Sequence, residues 1–191
     1  MKDDERQRAY RSPALTVWRY DTPLGADAGA VRLKSLQERD ALTVHDAITV
    51  AWMPGAHQPR SGHLRHTTAG AAGKGSVLGA LIGTLVLAPA VGAAAGAGVA
   101  ALAQRLRGTG IDQQFLEEVI DHLEPGSSAL LVLTSDADLD HVRPVVERGI
   151  ARGDVVLLHA RLAENAPAAL RAVVADLAPR DAADHREGDP R

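Results

Sequence analysis

A chain of 191 residues is long enough to bury one sizeable core and to carry an accessory element. Its formal charge of −3 gives no overall pull towards nucleic acid, and nucleic acid is not an expected partner. The absence of cysteine excludes a disulfide framework and a thiolate metal site. The opening MKDDERQRAYRSP is charged and lacks the apolar stretch of a secretory signal. Residues 1–13 therefore read as a disordered lead, and 178–191 as a matching tail.

The first structural signal is LTVWRY, 15–20, whose alternation and β-favouring residues predict a strand. Asp21-Thr22-Pro23 then supplies a cap and a first-turn proline for a helix reaching about Arg39. Its expected apolar side is Leu24, Val31, Leu33 and Leu36. VHDAITVAWM, 44–53, predicts a second strand ended by Pro54-Gly55, and a short third strand is expected near Leu64–Thr68.

Residues 69–107 depart from this alternation. Ala71, Gly75, Gly79 and Gly83 recur four apart and share one helix face, and Gly92, Gly96 and Ala100 repeat the spacing after Pro89. Small residues at that spacing let two backbones approach closely. Opposite them on the wheel fall Val77, Leu78, Leu81, Ile82 and Leu85, a face suited to lipid or to an apolar partner. Thirty uncharged residues separate Lys74 from Arg105, above the ~18 that prompt a membrane-span assignment. A single span would place the early and late strands on opposite sides of a bilayer. Two arms folded at Pro89 keep them together, so the expectation is a helical hairpin inserted in the domain.

Beyond Gly108-Thr109-Gly110, Asp112 caps a helix with Phe115, Leu116, Val119, Ile120 and Leu123 at helical spacing, and Pro125-Gly126 stops it. SALLVLT, 128–134, reads as a buried strand. A helix from about Asp138 to Arg148, a strand DVVLLHA at 154–160 and a last helix from Glu164 to Leu177 complete the order. With the insertion removed, this order suits an α+β sandwich of the ferredoxin-like type, with helices on one face of a mainly antiparallel sheet.

Charge is distributed unevenly. Arg60, Arg65, Lys74, Arg105 and Arg107 flank the glycine run, with no acidic residue between Asp46 and Asp112. From Asp112 to Asp140 there are eight acidic residues and no Lys or Arg. Basic flanks at both ends match a hairpin entering an anionic membrane from the cytoplasmic side.

Chemical motifs are incomplete. Gly73-Lys74-Gly75-Ser76 lacks the phosphate loop's first glycine and has Gly75 where Ser or Thr is required. Asp136, Asp138, Asp140 and Glu147 have the spacing of a calcium loop, but His141 stands where it turns on glycine; helix capping by Ser135 or Asp136 explains the same residues. His57, His63 and His66 lack further ligands for zinc, and no nucleophile elbow occurs. No catalytic, cofactor or metal residues are therefore assigned.

The stretches GKGSVLGALIG, AVGAAAGAGVAAL and GTGIDQQFLEEVIDHLEPGSSALLVL, with the later GDVVLLHARLAENAPAALRAVV, resemble the domain of unknown function 1269 family, bacterial and archaeal proteins described as predicted membrane proteins. The resemblance spans roughly 14–177 and implies an α+β domain with a glycine-rich insertion and no known activity. The expectation is a non-enzymatic, membrane-associated protein on the cytoplasmic side, homo-oligomeric through its glycine face. The alternative is a soluble oligomeric binding or regulatory domain whose hairpin packs on its own sheet or on a partner subunit.

Overall fold

The computed structural model describes residues 12–64, 77–87, 95–151 and 155–177. Its order is β1 (Ala14–Tyr20), α1 (Gly25–Gln37), β2 (Thr43–Ala51), β3 (Arg60–His63), α2 (Val77–Leu87), α3 (Ala95–Arg105), α4 (Gln113–Asp121), β4 (Ser128–Ser135), α5 (Leu139–Ala151), β5 (Val155–Arg161) and α6 (Ala166–Leu177). The class is α+β: five strands form one antiparallel sheet in the order β3-β2-β4-β1-β5.

Alternation along the strands sends side chains to two faces, and both are covered. Leu15 and Val17 of β1, Ile48 and Val50 of β2, and Leu131 and Leu133 of β4 pack with residues of α2, α3, α4 and α6. Trp18, Tyr20, Val44, Leu130 and Val132 point the other way, onto α1 and α5. The expectation of helices on a single face is thereby corrected. A central strand apolar on both faces, such as SALLVLTS of β4, has to be covered twice.

α1 also differs from its sequence reading. Leu24 and Val31, expected inside, are 70% and 71% exposed, while Ala26, Gly29, Leu33 and Leu36 are buried. The cause is Tyr20, whose ring lies along the helix: a Cβ at Gly25 would come within 2.3 Å of Tyr20 Cβ, and one at Gly29 within 2.2 Å of its hydroxyl. Only small residues fit there, so Leu24 and Val31 face away while Leu33 and Leu36 pack further along the helix. Asp21 does not cap this helix; it pairs with Arg19, which also reaches Glu124 at 2.6 Å. The Ser128 hydroxyl accepts the Ala26 N–H at 3.0 Å and donates to the Thr22 carbonyl at 2.6 Å, tying the helix start to β4.

The third strand lies at Arg60–His63, before the expected position, and 65–68 fall outside the described residues. Asp112 caps α4 as expected, accepting the Phe115 N–H at 2.8 Å. α5 starts on Asp138 rather than Ser135 or Asp136: the Asp138 carboxylate accepts the Asp140 N–H at 3.0 Å and lies 2.8 Å from the His141 ring.

Candidate functional site

The residues singled out in the insertion separate into an inner ridge, an outer small-residue side and a basic end. On the inner ridge of α2, Val77, Leu78, Leu81 and Ile82 are buried in one cluster with Ile48, Val50 and Leu131 of the sheet. These four were expected to meet lipid, a partner or the protein's own sheet; here they pack on the sheet. Leu85 belongs to the same helix.

Gly83 lies on the outer side, where an added Cβ meets none of the described residues within 4 Å. Gly79 is also half-buried in α2, and Gly96 and Ala100 belong to α3, with Ala100 exposed. Gly75, Gly92, Arg65 and Lys74 lie outside the described residues, as does the phosphate-loop-like stretch around them.

The first turn of α2 is fastened to the sheet by an acceptor: the Leu78 N–H donates to Asp46 Oδ2 at 2.9 Å. A carboxylate there satisfies an N–H that the helix cannot pair and meets the positive end of its dipole. Asp46 reaches this place through a β-bulge, since the β2–β4 register shifts between Val44 and Asp46. The residue at the bulge, His45, holds Ser135 at 2.8 Å through Nε2, and Ser135 donates to Asp136 Oδ2 at 2.6 Å. Asp136 has a positive φ of 53°, a second backbone irregularity beside the first. No sequence signal announced this arrangement; the bulge moves His45 out of the alternation that sequence reading relies on.

Burial, then the charge of Arg171, lowers the His45 pKa below the ordinary 6.5, with Asp136 opposing. Burial and Arg161 lower that of His159 likewise. A histidine whose folded pKa lies below its unfolded value takes up its proton more readily when unfolded, so the stability it confers is present above the ordinary value and lost as pH falls through it. The melting temperature should therefore drop between about pH 7.5 and 5.5, and His45→Gln should flatten that slope. A parent slope retained in full by the variant would exclude His45 as a source.

At the other end of the insertion, α3 turns into α4 through Gly108 and Gly110, both at positive φ. Thr109 donates its hydroxyl to the Leu106 carbonyl at 2.7 Å, and its own carbonyl accepts the Ala163 N–H at 2.9 Å. An open groove of about 580 Å³ lies over this junction, lined among others by Ala100, Gln104, Arg107, Asp112 and Gln113. Arg107 reaches Gln104 Oε1 at 2.6 Å. Arg60, Arg105 and Arg107 are exposed, and among the described residues none of them pairs with an acidic side chain.

Among the described residues no group of three or more His, Cys, Asp or Glu side chains is placed to hold a metal ion. No helix of these residues is long and apolar enough to cross a membrane. No curated protein and no solved structure matches the chain. A family model does: that of a protein of unknown function, DUF1269, matches residues 72–175, more than half of the chain, which therefore belongs to that family.

Proposed function

We propose that this protein is a non-enzymatic binding or regulatory domain, assembled from several copies, whose glycine-rich helices cover its own sheet. The single observation that carries this reading is the burial of Val77, Leu78, Leu81 and Ile82 against Ile48, Val50 and Leu131. Side chains spent on the sheet are not available to acyl chains. The strand order β5-β1-β4-β2, antiparallel throughout, supports a ferredoxin-like frame, with β3 as an added edge and α2–α3 as the inserted hairpin. The space outside Gly83, open among the described residues, leaves room for close approach of a neighbouring helix. Against an enzyme stands the Ser135–His45 pair, whose neighbouring carboxylate, Asp136, holds the serine and not the imidazole, unlike a hydrolytic triad.

Membrane association is the second reading, favoured by the exposed Arg60, Arg105 and Arg107, none of which pairs with an acidic side chain among the described residues. It takes the form of surface attraction, each basic residue contributing about 1 kcal/mol near anionic headgroups. Vesicle flotation of the full chain tests both. The covering reading expects protein in the high-speed supernatant without detergent and no flotation with neutral vesicles. Salt-sensitive flotation with anionic vesicles, weakened by Arg105→Gln/Arg107→Gln, is the outcome expected of the second. Detergent-dependent recovery together with flotation on neutral vesicles would defeat the covering reading.

A further inference from the structure

The two edges of the sheet differ in a way that matters for assembly. β3 is four residues long, RSGH, and combines shortness, a charge and a glycine, features that discourage a further strand from adding. β5 is seven residues, VVLLHAR, and pairs with β1 at every position from Tyr20↔Val155 to Ala14↔Arg161 without a bulge. It has no proline or acidic residue, its one arginine stands at its last position, and among the described residues its outer side meets no strand. Val156 on it is 38% exposed, and Ile150 on the adjoining α5 is 49% exposed. The end of α5 abuts β5 through Gly149, where an added Cβ would lie 3.1 Å from Val155.

We infer that β5 is a self-association edge, on which a second copy of this chain lays its own β5 antiparallel to build one continuous ten-stranded sheet across a two-fold axis. The inference gives a surface to the self-assembly proposed above, and it uses no feature of the inserted helices. A strand-edge partner must be an extended backbone, because only that matches a periodic row of N–H and C=O groups. The terminal segments outside the described residues are poor candidates. Residues 1–11, MKDDERQRAYR, are mostly charged, and 178–191, APRDAADHREGDPR, combine charge with two prolines. Pairing of β5 with the β3 of a neighbour would propagate as an open fibre, whereas β5 on β5 closes as a dimer.

Sedimentation of the full chain over a wide concentration range tests this. The expected result is a monomer–dimer equilibrium that Val156→Lys weakens roughly tenfold or more, each copy placing an added charge on the new seam beside the partner strand. Ser61→Lys, on the opposite edge, should leave it unchanged. Circular dichroism and thermal melting of each variant establish that it is folded. Hydrogen exchange of the parent supplies a measurement free of substitution, the 155–161 amides slowing as concentration rises. A monomer at all concentrations, a dimer indifferent to Val156→Lys, or equal weakening by Ser61→Lys overturns the inference. A dimer lost on Gly83→Leu but kept on Val156→Lys would place assembly on the helices instead. The covering reading is tested apart, by flotation.

Discussion

Gly25→Ala should be among the most damaging single-methyl changes in this protein. Alanine in place of a helical glycine ordinarily stabilises by about 1 kcal/mol. Here the new methyl would sit 2.3 Å from Tyr20 Cβ and 2.6 Å from its Cγ, atoms held by the backbone of β1. β1 is paired on both sides, with β4 and β5, so it has no direction in which to retreat. Overpacking of this kind costs roughly 1–3 kcal/mol and more where the neighbour is rigid. A net loss of about 3 kcal/mol corresponds to a melting temperature lower by roughly 6–12 °C in a domain of this size. Gly29→Ala is the informative companion, because its clash falls first on the Tyr20 hydroxyl at 2.2 Å. Among the described residues that buried hydroxyl has no partner at full hydrogen-bond geometry; burial raises its pKa, and nearby Arg32, by its charge and a weak hydrogen bond, partly opposes this. Tyr20→Phe alone should therefore cost little, and the double variant Tyr20→Phe/Gly29→Ala should recover part of the loss. Equal melting temperatures for Gly25→Ala and the parent would mean that the helix does not sit this close to β1.

The same contact marks the limit of what the sequence discloses. Elements were legible where the signal is local. Alternation announced β1, the Asp112 side chain announced α4, and Gly108, Gly110 and Gly126 fall where the backbone takes positive φ. Which side of a helix faces inward is decided by what it meets. Leu24 and Val31 look like core on a wheel, yet they face solvent because an aromatic ring from another element takes the space. The insertion posed the same problem, since an apolar ridge suits a sheet and a bilayer equally. Its destination depends on whether the second face of the sheet is vacant, and that requires the strand order. The His45 bulge was beyond reach for a related reason: one extra residue in a strand leaves the composition unchanged and shifts only the pairing.

Leu78→Ala should unfold the whole domain more easily, and its effect separates a structural helix from a spare one. Leu78 is 1% exposed, and its neighbours in the core come from the sheet and from α3, α4 and α6. Truncating such a leucine costs about 2–5 kcal/mol, through lost burial and the cavity left behind. The chain should still melt in one transition, lowered by roughly 4–20 °C. Asp46→Ala should act in the same direction but less, by about 1 kcal/mol, since it removes a cap and leaves the packing. Differential scanning calorimetry in detergent-free buffer reads both. A helix merely waiting for a membrane would give a Leu78→Ala melt superimposable on the parent, and that result would remove the insertion from the core.

The strand order also sets a timetable for biosynthesis. β1 leaves the ribosome long before its two neighbours in the sheet, β4 and β5. At 5–20 residues per second, roughly ten seconds pass before Ala14–Tyr20 can find Val155–Arg161. Until β4 emerges, Leu15, Val17 and Trp18 have no native strand to join, and the apolar segment that becomes α2 has no complete sheet to close over. The nascent chain is thus at its most adhesive just before β4 emerges, when its apolar segments are made but unpaired. This makes β1 the strand at which a premature stop anywhere upstream of β4 does the most harm.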